Sequence, residues 1–590
     1  MLSQSEFEIL VLIEKTEKQL TQREIASETD IALGKVNRIL TELKNSLLIS
    51  GDNRITDEGR KTLEPFRVTN AIIMAAGMSS RFAPLSYESP KALLKVKGDI
   101  LIEREIEQLH TAGINNITLV VGYMKEKLFY LEEKYGVKIV INEDYYKYNN
   151  TSTLVRVLDE LDNTYICSSD NYFTINPFEK YVYQSYYSAV YAAGKTDEYC
   201  IFTNKTGRIN EVTFGGSDAW YMLGHVYWNR DFSKKFCEIL KREYDNPITK
   251  EQLWENLYVR YIDELDMYIR KYDTDFIKEF DSLDELREFD ESYLKDSNSE
   301  VIDNICNVLN CENSDVESIV PIKEGLTNLS FRFEVKGHKY VYRHPGVGTE
   351  VYINRFSEAK AMAIASKLGL DKTFIYMDPE KGWKISHYIE DAHTLDYHDP
   401  VEVEKAIKVI RTLHSSNEKT EFEFDYFAEI RKFLELLEPK HKASFNGMDK
   451  LISDFEQISE LLSADDYPKC LCHCDCYSPN FLFDKDGKIY LIDWEYAGMS
   501  DPGCDLGTFV VCSDYDEEEG DAIIRKYLGD NYTDADYRHM NACFAVSAFY
   551  WFVWALYQDS LGKLMGEYLY TWYKYSVIYS KKTLKLYEGV

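Results

Sequence analysis

Apolar residues fall at helical spacing in SQSEFEILVLIEKTE near the amino terminus, and TQREIASETDIALGKVNRILTELKNSLL has the pattern of two further helices. The polar run ISGDNRITDEGRKTL that follows predicts a short wing, so residues 1–68 read as a winged helix-turn-helix. From Val68 the pattern changes. NAIIMAAG reads as a buried strand entering a glycine loop, LIEREIEQLHTAG as a helix, NITLVVG as a strand, MKEKLFYLEEKY as a helix, VKIVI as a strand and TYICSSD as a strand ending at Asp170. Such alternation predicts a parallel-rich sheet with helices on both faces across residues 69–290. Ligands of such sheets bind at the carboxyl ends of strands, where the Gly77 loop and Asp170 fall. The polar stretch Phe289 to Ser299 reads as a linker. Beyond it, ESIVPIKEGLTNLSFRFEVKGHKYVYRHPG suggests strands around a glycine loop, NRFSEAKAMAIASKLGL a helix and KISHYIED a connection between two lobes. The remainder is mainly helical, giving a bilobal domain over 296–590. The chain is therefore multidomain, of mixed α/β and α+β class.

At 590 residues the chain exceeds what one core can organise, and its 45% apolar and 14% aromatic content is ample for packing. The net charge of -32 opposes binding to polyanions or anionic membranes through bulk electrostatics, so a nucleotide site must be made locally basic. Residues 1–68 hold ten Lys and Arg against twelve Asp and Glu. The helix offering Lys35, Asn37, Arg38 and Lys44 to DNA thus lacks the usual basic surplus, and a regulatory or dimerisation role stands beside DNA binding. The twelve cysteines include no C-x-x-C pair, and no signal peptide is evident, which predicts reduced thiols and a cytoplasmic protein. Cys470, Cys472, Cys474 and Cys476 alternate as one face of an extended segment and read as small core residues rather than metal ligands. The aromatic run Phe544 to Leu556 is too short to span a membrane and predicts a buried helix, with no membrane insertion.

AAGMSSRF followed by SPKALLKV places Ala75, Ala76 and Gly77 in a tight turn whose backbone N–H groups can face a triphosphate, with Arg81 and Lys91 as cations. Asp170 in SSDNYF is a candidate Mg²⁺ ligand. Together with SRFAPLSYESPKALLKVKG, VVGYMKEKLFYLEEKYGVKIV and YKYNNTSTL, these motifs resemble the bacterial CTP:phosphocholine cytidylyltransferases over about 220 residues. The resemblance implies a Rossmann-like nucleotidyltransferase, CTP and phosphocholine as substrates, Asp281 of EFDSLDEL as second Mg²⁺ ligand, and Asn149 and Asn150 near the base and ribose. Tyr172, Trp220 and Trp254 are candidates to face a quaternary ammonium.

HCDCYSPNFLFDKDGKIYLIDWEYAG sets Asp475, Asn480 and Asp493 at the spacing of enzymes that move the γ-phosphate of ATP. Asp475 would orient the substrate hydroxyl, and Asn480 and Asp493 would hold Mg²⁺. With EGLTN, YVYRHPG, IDWEYAG and DPGCDLG, the segment from Glu300 to Val590 resembles choline kinases of the aminoglycoside phosphotransferase and protein-kinase-like group. By that resemblance Gly325, Thr327 and Asn328 cover the phosphates, Arg343 stands where the ATP-binding lysine usually does, Glu358 pairs with it, and His473 and Asp505 brace the catalytic loop. SAFYWFVWALYQ predicts a helix presenting Trp551, Trp554 and Tyr557, with Tyr550, to a cation that aromatic faces recognise. The expectation is an enzyme making phosphocholine from choline and ATP, then CDP-choline from phosphocholine and CTP. Two alternatives remain open at this stage: the same chemistry on ethanolamine or another amino alcohol, and a DNA-binding regulator using the enzyme folds as sensors.

Overall fold

The computed structural model describes residues 2–16, 18–322, 328–346, 348–443, 445–529, 531–563 and 565–588. Its two compact units are Met1–Asn304 and Ile305–Val590.

In the first unit, Ser3 and Glu6 form a capping box that starts α1 (Gln4–Lys15), and Thr21 with Glu24 does the same for α2 (Gln22–Thr29). α3 (Leu33–Asn45) completes the trio, with Val36, Ile39, Leu40 and Leu43 buried on one face. The run expected to form a wing contributes a single antiparallel bridge, Ile49 to Ile55, before α4 (Asp57–Leu63). This module is seated on the following domain. Phe7, packed on Phe66 of its own module at 5.0 Å, meets Tyr183 of that domain at 5.3 Å between ring centres, and Lys180 pairs with Glu14 at 2.9 Å.

The domain beneath it alternates as its sequence pattern predicts. β1 (Asn70–Ala75), α5 (Leu101–Thr111), β2 (Ile117–Val121), β3 (Lys138–Ile141) and β4 (Thr164–Ser168) lead to the short β5 (Asn171–Phe173) and the long hairpin β6 (Tyr186–Thr203) and β7 (Ile209–Trp228). α6 (Arg230–Glu243), α7 (Trp254–Arg260), β8 (Tyr268–Lys271) and β9 (Ile277–Glu279) complete it. The sheet order is β8-β6-β7-β4-β1-β2-β3, with β4, β1, β2 and β3 mutually parallel and β7 antiparallel to both β4 and β6. The strand period of two sorts the core. Ala71, Ile73 and Ala75 join Ile102, Ile106 and Leu109 of α5 on one side, while Ile72 joins Phe232, Phe236 and Trp254 on the other. The stretch expected to be a linker is packed instead. Tyr293 is buried and donates to the Lys95 carbonyl at 3.0 Å, and Asp290 accepts the Lys97 N–H at 2.6 Å.

The second unit opens with an antiparallel sheet, order β10-β11-β12-β14-β13, made by β10 (Val316–Ile322), β11 (Asn328–Val335), β12 (His338–Pro345), β13 (Phe374–Asp378) and β14 (Trp383–His387). KISH, read as part of an inter-lobe connection, belongs to β14. α8 (Arg355–Leu368) lies between β12 and β13 in the chain. The helical remainder includes α9 (Pro400–His414), then, after the short strand β15 (Cys470–Cys472), α10 (Pro502–Val511), α11 (Asp534–Ser560) and α12 (Glu567–Tyr587). α11 is apolar and long enough to cross a membrane by composition, but 94% of its most apolar stretch is buried in this unit. α10 and α11 approach so closely that a Cβ on Gly507 would stand 2.4 Å from the Ser547 hydroxyl oxygen.

Phe7 is the hinge of the amino-terminal contact, and its removal is expected to cost about 3–5 kcal/mol. In Phe7→Ala, amide exchange across α1 to α3 should accelerate by roughly 100-fold or more while β1 and β2 keep their protection. Equal acceleration in both regions would show that the module and the sheet unfold together.

Candidate active sites

β1 delivers Ala75 and Ala76 to the first loop. The Tyr123 N–H donates to the Ala76 carbonyl at 3.1 Å, and a Cβ on Gly122 would stand 2.8 Å from that same oxygen, so this approach requires glycine. The tight turn expected at Gly77 falls at Ser79, whose φ is 47°, while the space beside Gly77 is open. Lys91 starts a 3₁₀ turn after Pro90 and is only 6% exposed. Its ammonium lies 3.0 Å from Asp170 and 3.7 Å from Glu279. Register explains the convergence: β5 and β9 pair antiparallel with Asn171 opposite Glu279, which sets Asp170 and Glu279 at one end of the ribbon. Asp281, just beyond, faces Arg81 at 3.6 Å. Burial opposes the charge on Lys91, yet Asp170, Glu279 and Asp281 outweigh it and raise the pKa. Burial and Asp170 push Glu279 up to about 8, against the pull of Lys91. Asp170, Glu279 and Asp281 offer carboxylate oxygens, the ligand type that a hard divalent cation takes, and in this structure Asp170 and Glu279 pair with Lys91 and Asp281 with Arg81. Glu279 escaped the sequence reading, although the alternation in EFD would have placed it on the same side as Asp281.

The remaining candidates of this domain scatter. Asn149 is exposed, whereas the Asn150 side chain accepts the Trp254 N–H at 2.6 Å and donates to Glu255 at 3.4 Å. Trp254 is a core residue, 1% exposed and stacked on Tyr187 at 5.8 Å. Tyr172 is buried with the Arg104 guanidinium 4.6 Å from its ring centre, and half-buried Trp220 carries Lys271 at 4.8 Å. These two rings already face cations of the protein itself.

In the second unit a buried charge network joins the sheet to the catalytic loop. Arg343 on β12 makes a two-pronged hydrogen bond to Glu358 on α8, with Nη2 2.9 Å from Oε2. Burial works against the charge on Glu358, but Arg343, Lys384 and Arg355 hold its pKa down to about 2. Lys384, opposite Arg343 in the β12–β14 ladder, and Arg343 each stand 3.7 Å from Asp493. Arg355 binds Glu358 at 2.9 Å and Glu495 at 3.4 Å, and Asn328 donates to Glu495 at 2.8 Å. Lys384, Arg355 and Glu495 were absent from the sequence reading. Gly325 and Thr327 lie outside the described residues.

Asp475 accepts from the Asn480 amide at 2.8 Å, and burial together with Asp493 and Glu495 raises its pKa well above the usual carboxylate range. Asp493 Oδ1 has no hydrogen bond, though Arg343 and Lys384 flank it at 3.7 Å each. The carboxylates of Asp475, Asp493 and Glu495 are the oxygen ligands that a hard cation takes. The braces expected from His473 and Asp505 are present. The two Asp505 oxygens accept the N–H groups of His473 at 2.9 Å and Cys474 at 2.6 Å, while the His473 ring lies 2.9 Å from the Ile492 carbonyl.

Comparison with known proteins separates the two catalytic regions. Residues 71–213 match the MobA-like NTP transferase domain. The choline-phosphate cytidylyltransferase of Streptococcus pneumoniae is 34% identical over 228 residues, 39% of this chain and 99% of that protein. The chain belongs to the choline-phosphate cytidylyltransferase family. A 2-aminoethylphosphonate cytidylyltransferase of Lancefieldella rimae is similar too, 35% identical over 234 residues, 38% of this chain and 94% of that protein. Residues 318–542 match the phosphotransferase enzyme family. A crystal structure of choline kinase from Streptococcus pneumoniae matches 48% of this chain and 97% of its own, at 25% identity and TM-score 0.42. The chain thus carries a cytidylyltransferase-family domain and, over residues 318–542, a match to the phosphotransferase enzyme family.

In the phosphotransferase, α11 does not present one aromatic stripe. Trp551 and Trp554, 5.6 Å apart, gather with Trp572 of α12, and Trp551 meets Tyr496 beside the catalytic loop at 5.9 Å. Tyr550 and Tyr557 turn to Phe433 at 6.2 and 5.4 Å. Trp572, some twenty residues away in sequence, could not be assigned from helical spacing alone.

Glu358→Gln would leave the Arg343 charge buried without its carboxylate, which is expected to cost about 3–5 kcal/mol, measured by amide exchange in β12 and α8. Arg343→Lys keeps the charge and loses the fork, so it should raise the ATP KM with a smaller loss of protection. A Glu358→Gln protein with unchanged exchange would contradict the role given to this pair.

Proposed function

We propose that the chain converts choline to CDP-choline in two steps: ATP-dependent phosphorylation in the second unit, then cytidylyl transfer from CTP to phosphocholine in the first. The observation that carries this reading is the presence of both transferases on one polypeptide. A phosphotransferase makes an oxygen ester of an alcohol, which a cytidylyltransferase can accept directly. It cannot make the carbon–phosphorus bond of an aminoalkylphosphonate, so the pairing favours a phosphate ester over the phosphonate handled by one similar enzyme. Trp551, Trp554, Trp572 and Tyr496 supply ring faces, and Asp475 and Glu495 supply negative charge, a combination suited to a quaternary ammonium, which offers no strong hydrogen-bond donor. Ethanolamine would instead require several acceptors aimed at one ammonium.

In phosphoryl transfer, Asp475 orients the choline hydroxyl and takes its proton as the oxygen meets the γ-phosphorus. Arg343, fixed by Glu358, and Lys384 face the phosphates, with Asn328 beside the covering loop. Asn480 and Asp493 would hold Mg²⁺, which when bound neutralises charge on the ATP phosphates. In cytidylyl transfer, Lys91 and Arg81 counter charge on CTP, and the backbone of Ala75 to Gly77 approaches its phosphates. The phosphocholine oxygen is already anionic at neutral pH and needs no protein base to attack the α-phosphorus, with pyrophosphate leaving. Asp170 and Asp281, with Glu279, would hold Mg²⁺ there.

We read three functional modules, 1–68, 69–290 and 296–590, in a cytoplasmic enzyme. The first is a winged-helix module with a regulatory or dimerisation role. Two of its four candidate DNA contacts are tied within the module: Lys35 donates to Ser5 at 2.7 Å, and Arg38 pairs with Glu42 at 3.7 Å.

Asp475→Ala should abolish phosphocholine formation while added phosphocholine and CTP still yield CDP-choline, and Lys91→Ala should do the reverse, both followed by product chromatography. Loss of both reactions in either folded variant would refute independent sites.

Trp554→Leu keeps apolar bulk and removes a ring face worth on the order of 2 kcal/mol, so the choline KM should rise roughly 30-fold with the ATP KM little changed. Unchanged choline kinetics would make this ring core packing only, and a parent enzyme preferring ethanolamine would overturn the substrate assignment.

A further inference from the structure

A second cluster of metal-capable side chains lies against the strand that leads into the catalytic loop. Cys470 and Cys472 project from β15 with their sulfurs 3.7 Å apart. The last residue of α9, His414, brings a ring nitrogen within 4.8 Å of both. Two thiolates on one tetrahedral zinc ion, each about 2.3 Å from it, stand about 3.8 Å from each other. The sulfur pair therefore already has the spacing of a bound zinc. Sequence spacing alone argued against metal because no second cysteine pair was in sight; the third ligand instead comes from a helix some sixty residues upstream.

We propose that Cys470, Cys472 and His414 bind a thiophilic divalent cation, zinc being the best match. The outer contacts suit this role. Asp505 holds one nitrogen of His414 at 3.0 Å, and the metal would displace the Tyr527 hydroxyl, which stands 2.7 Å from the other. A metal-bound histidine commonly keeps such a partner on its free nitrogen, which fixes the ring. Two thiolates and a neutral imidazole also balance the double charge of the ion. Cys472 is fully buried, whereas Cys470 is partly exposed and offers a way in. Loading releases the two thiol protons to solvent. The bound ion would join α9 to β15, one residue before His473. Asp505, which holds His414, also holds the backbone of His473 and Cys474, so the site would stiffen the approach to Asp475.

The test uses the full chain, reduced, stripped of metal and titrated with Co²⁺ alone. A near-ultraviolet thiolate-to-cobalt band should saturate at one equivalent, disappear on adding Zn²⁺, and be accompanied by release of about two protons. The band should be lost in Cys470→Ser and kept in Cys543→Ser, which alters the separate Asp501, His539 and Cys543 group. Independently of any variant, Zn²⁺ should protect Cys470 of the parent from alkylation, read by peptide mass spectrometry. Absence of the band in the parent, its persistence in Cys470→Ser, or unprotected Cys470 at saturating Zn²⁺ would overturn the proposal.

Discussion

A cation held among carboxylates inside the protein is the constraint on which both catalytic regions rest. Lys91 sits between Asp170 and Glu279, and Arg343 is locked to Glu358. A buried ammonium or guanidinium without such partners would be too costly to keep charged, and buried acids without it would take up protons. Each arrangement is thus poised for a ligand that redistributes charge. In the first unit burial, with Asp170 beside it, raises the pKa of Glu279 even though Lys91 lies between the two acids. In the second, Asp475, Asp493 and Glu495 crowd one another beyond the Arg343 pair.

Backbone geometry puts these groups where the charges can act. Cys474 and Asp493 both have φ near 63°, a conformation unfavourable for side chains with a Cβ. Asp505 holds the turn at Cys474 by accepting two successive N–H groups with its two oxygens. The charge on Asp505 is kept despite burial because His414 bonds to it and lowers its pKa. The same principle operates with strands in the first unit. The two-stranded ribbon of β5 and β9 aligns Asp170 with Glu279, residues more than a hundred positions apart in sequence.

What was legible in the sequence was what depends on neighbours along the chain. The continuous apolar run NAIIMAAG marked the buried β1, and the motif spacings around Lys91, Asp170, Asp475, Asn480 and Asp493 located side chains that the structure sets in charged clusters. What was hidden depends on partners distant in sequence. Glu279 acquires its importance from a ribbon pairing, Lys384 from lying opposite Arg343, and Trp572 from the packing of two long helices. Trp254 illustrates the converse error: an aromatic residue near a polar motif is equally a core residue, and only its stack with Tyr187 decides. The acidic run at 289–299 misled because polarity there serves local caps and an Asp290 contact to the Lys97 backbone rather than solvent.

The net charge of -32 gives the proposed chemistry a direction. A field of this sign draws a quaternary ammonium toward the protein and resists free nucleotide anions, so nucleotides complexed with cations are the better ligands. Phosphorylation then reverses part of the attraction: phosphocholine carries its positive charge beside a doubly ionising phosphate, and the same acids that favour choline disfavour the product. In the proposed function, release from Asp475 and Glu495 would thereby be assisted by the charges that help bind the substrate. Lys91 and Arg81 would instead meet the phosphate in the cytidylyltransferase. One acidic chain can therefore serve both steps because each site sets its own local sign.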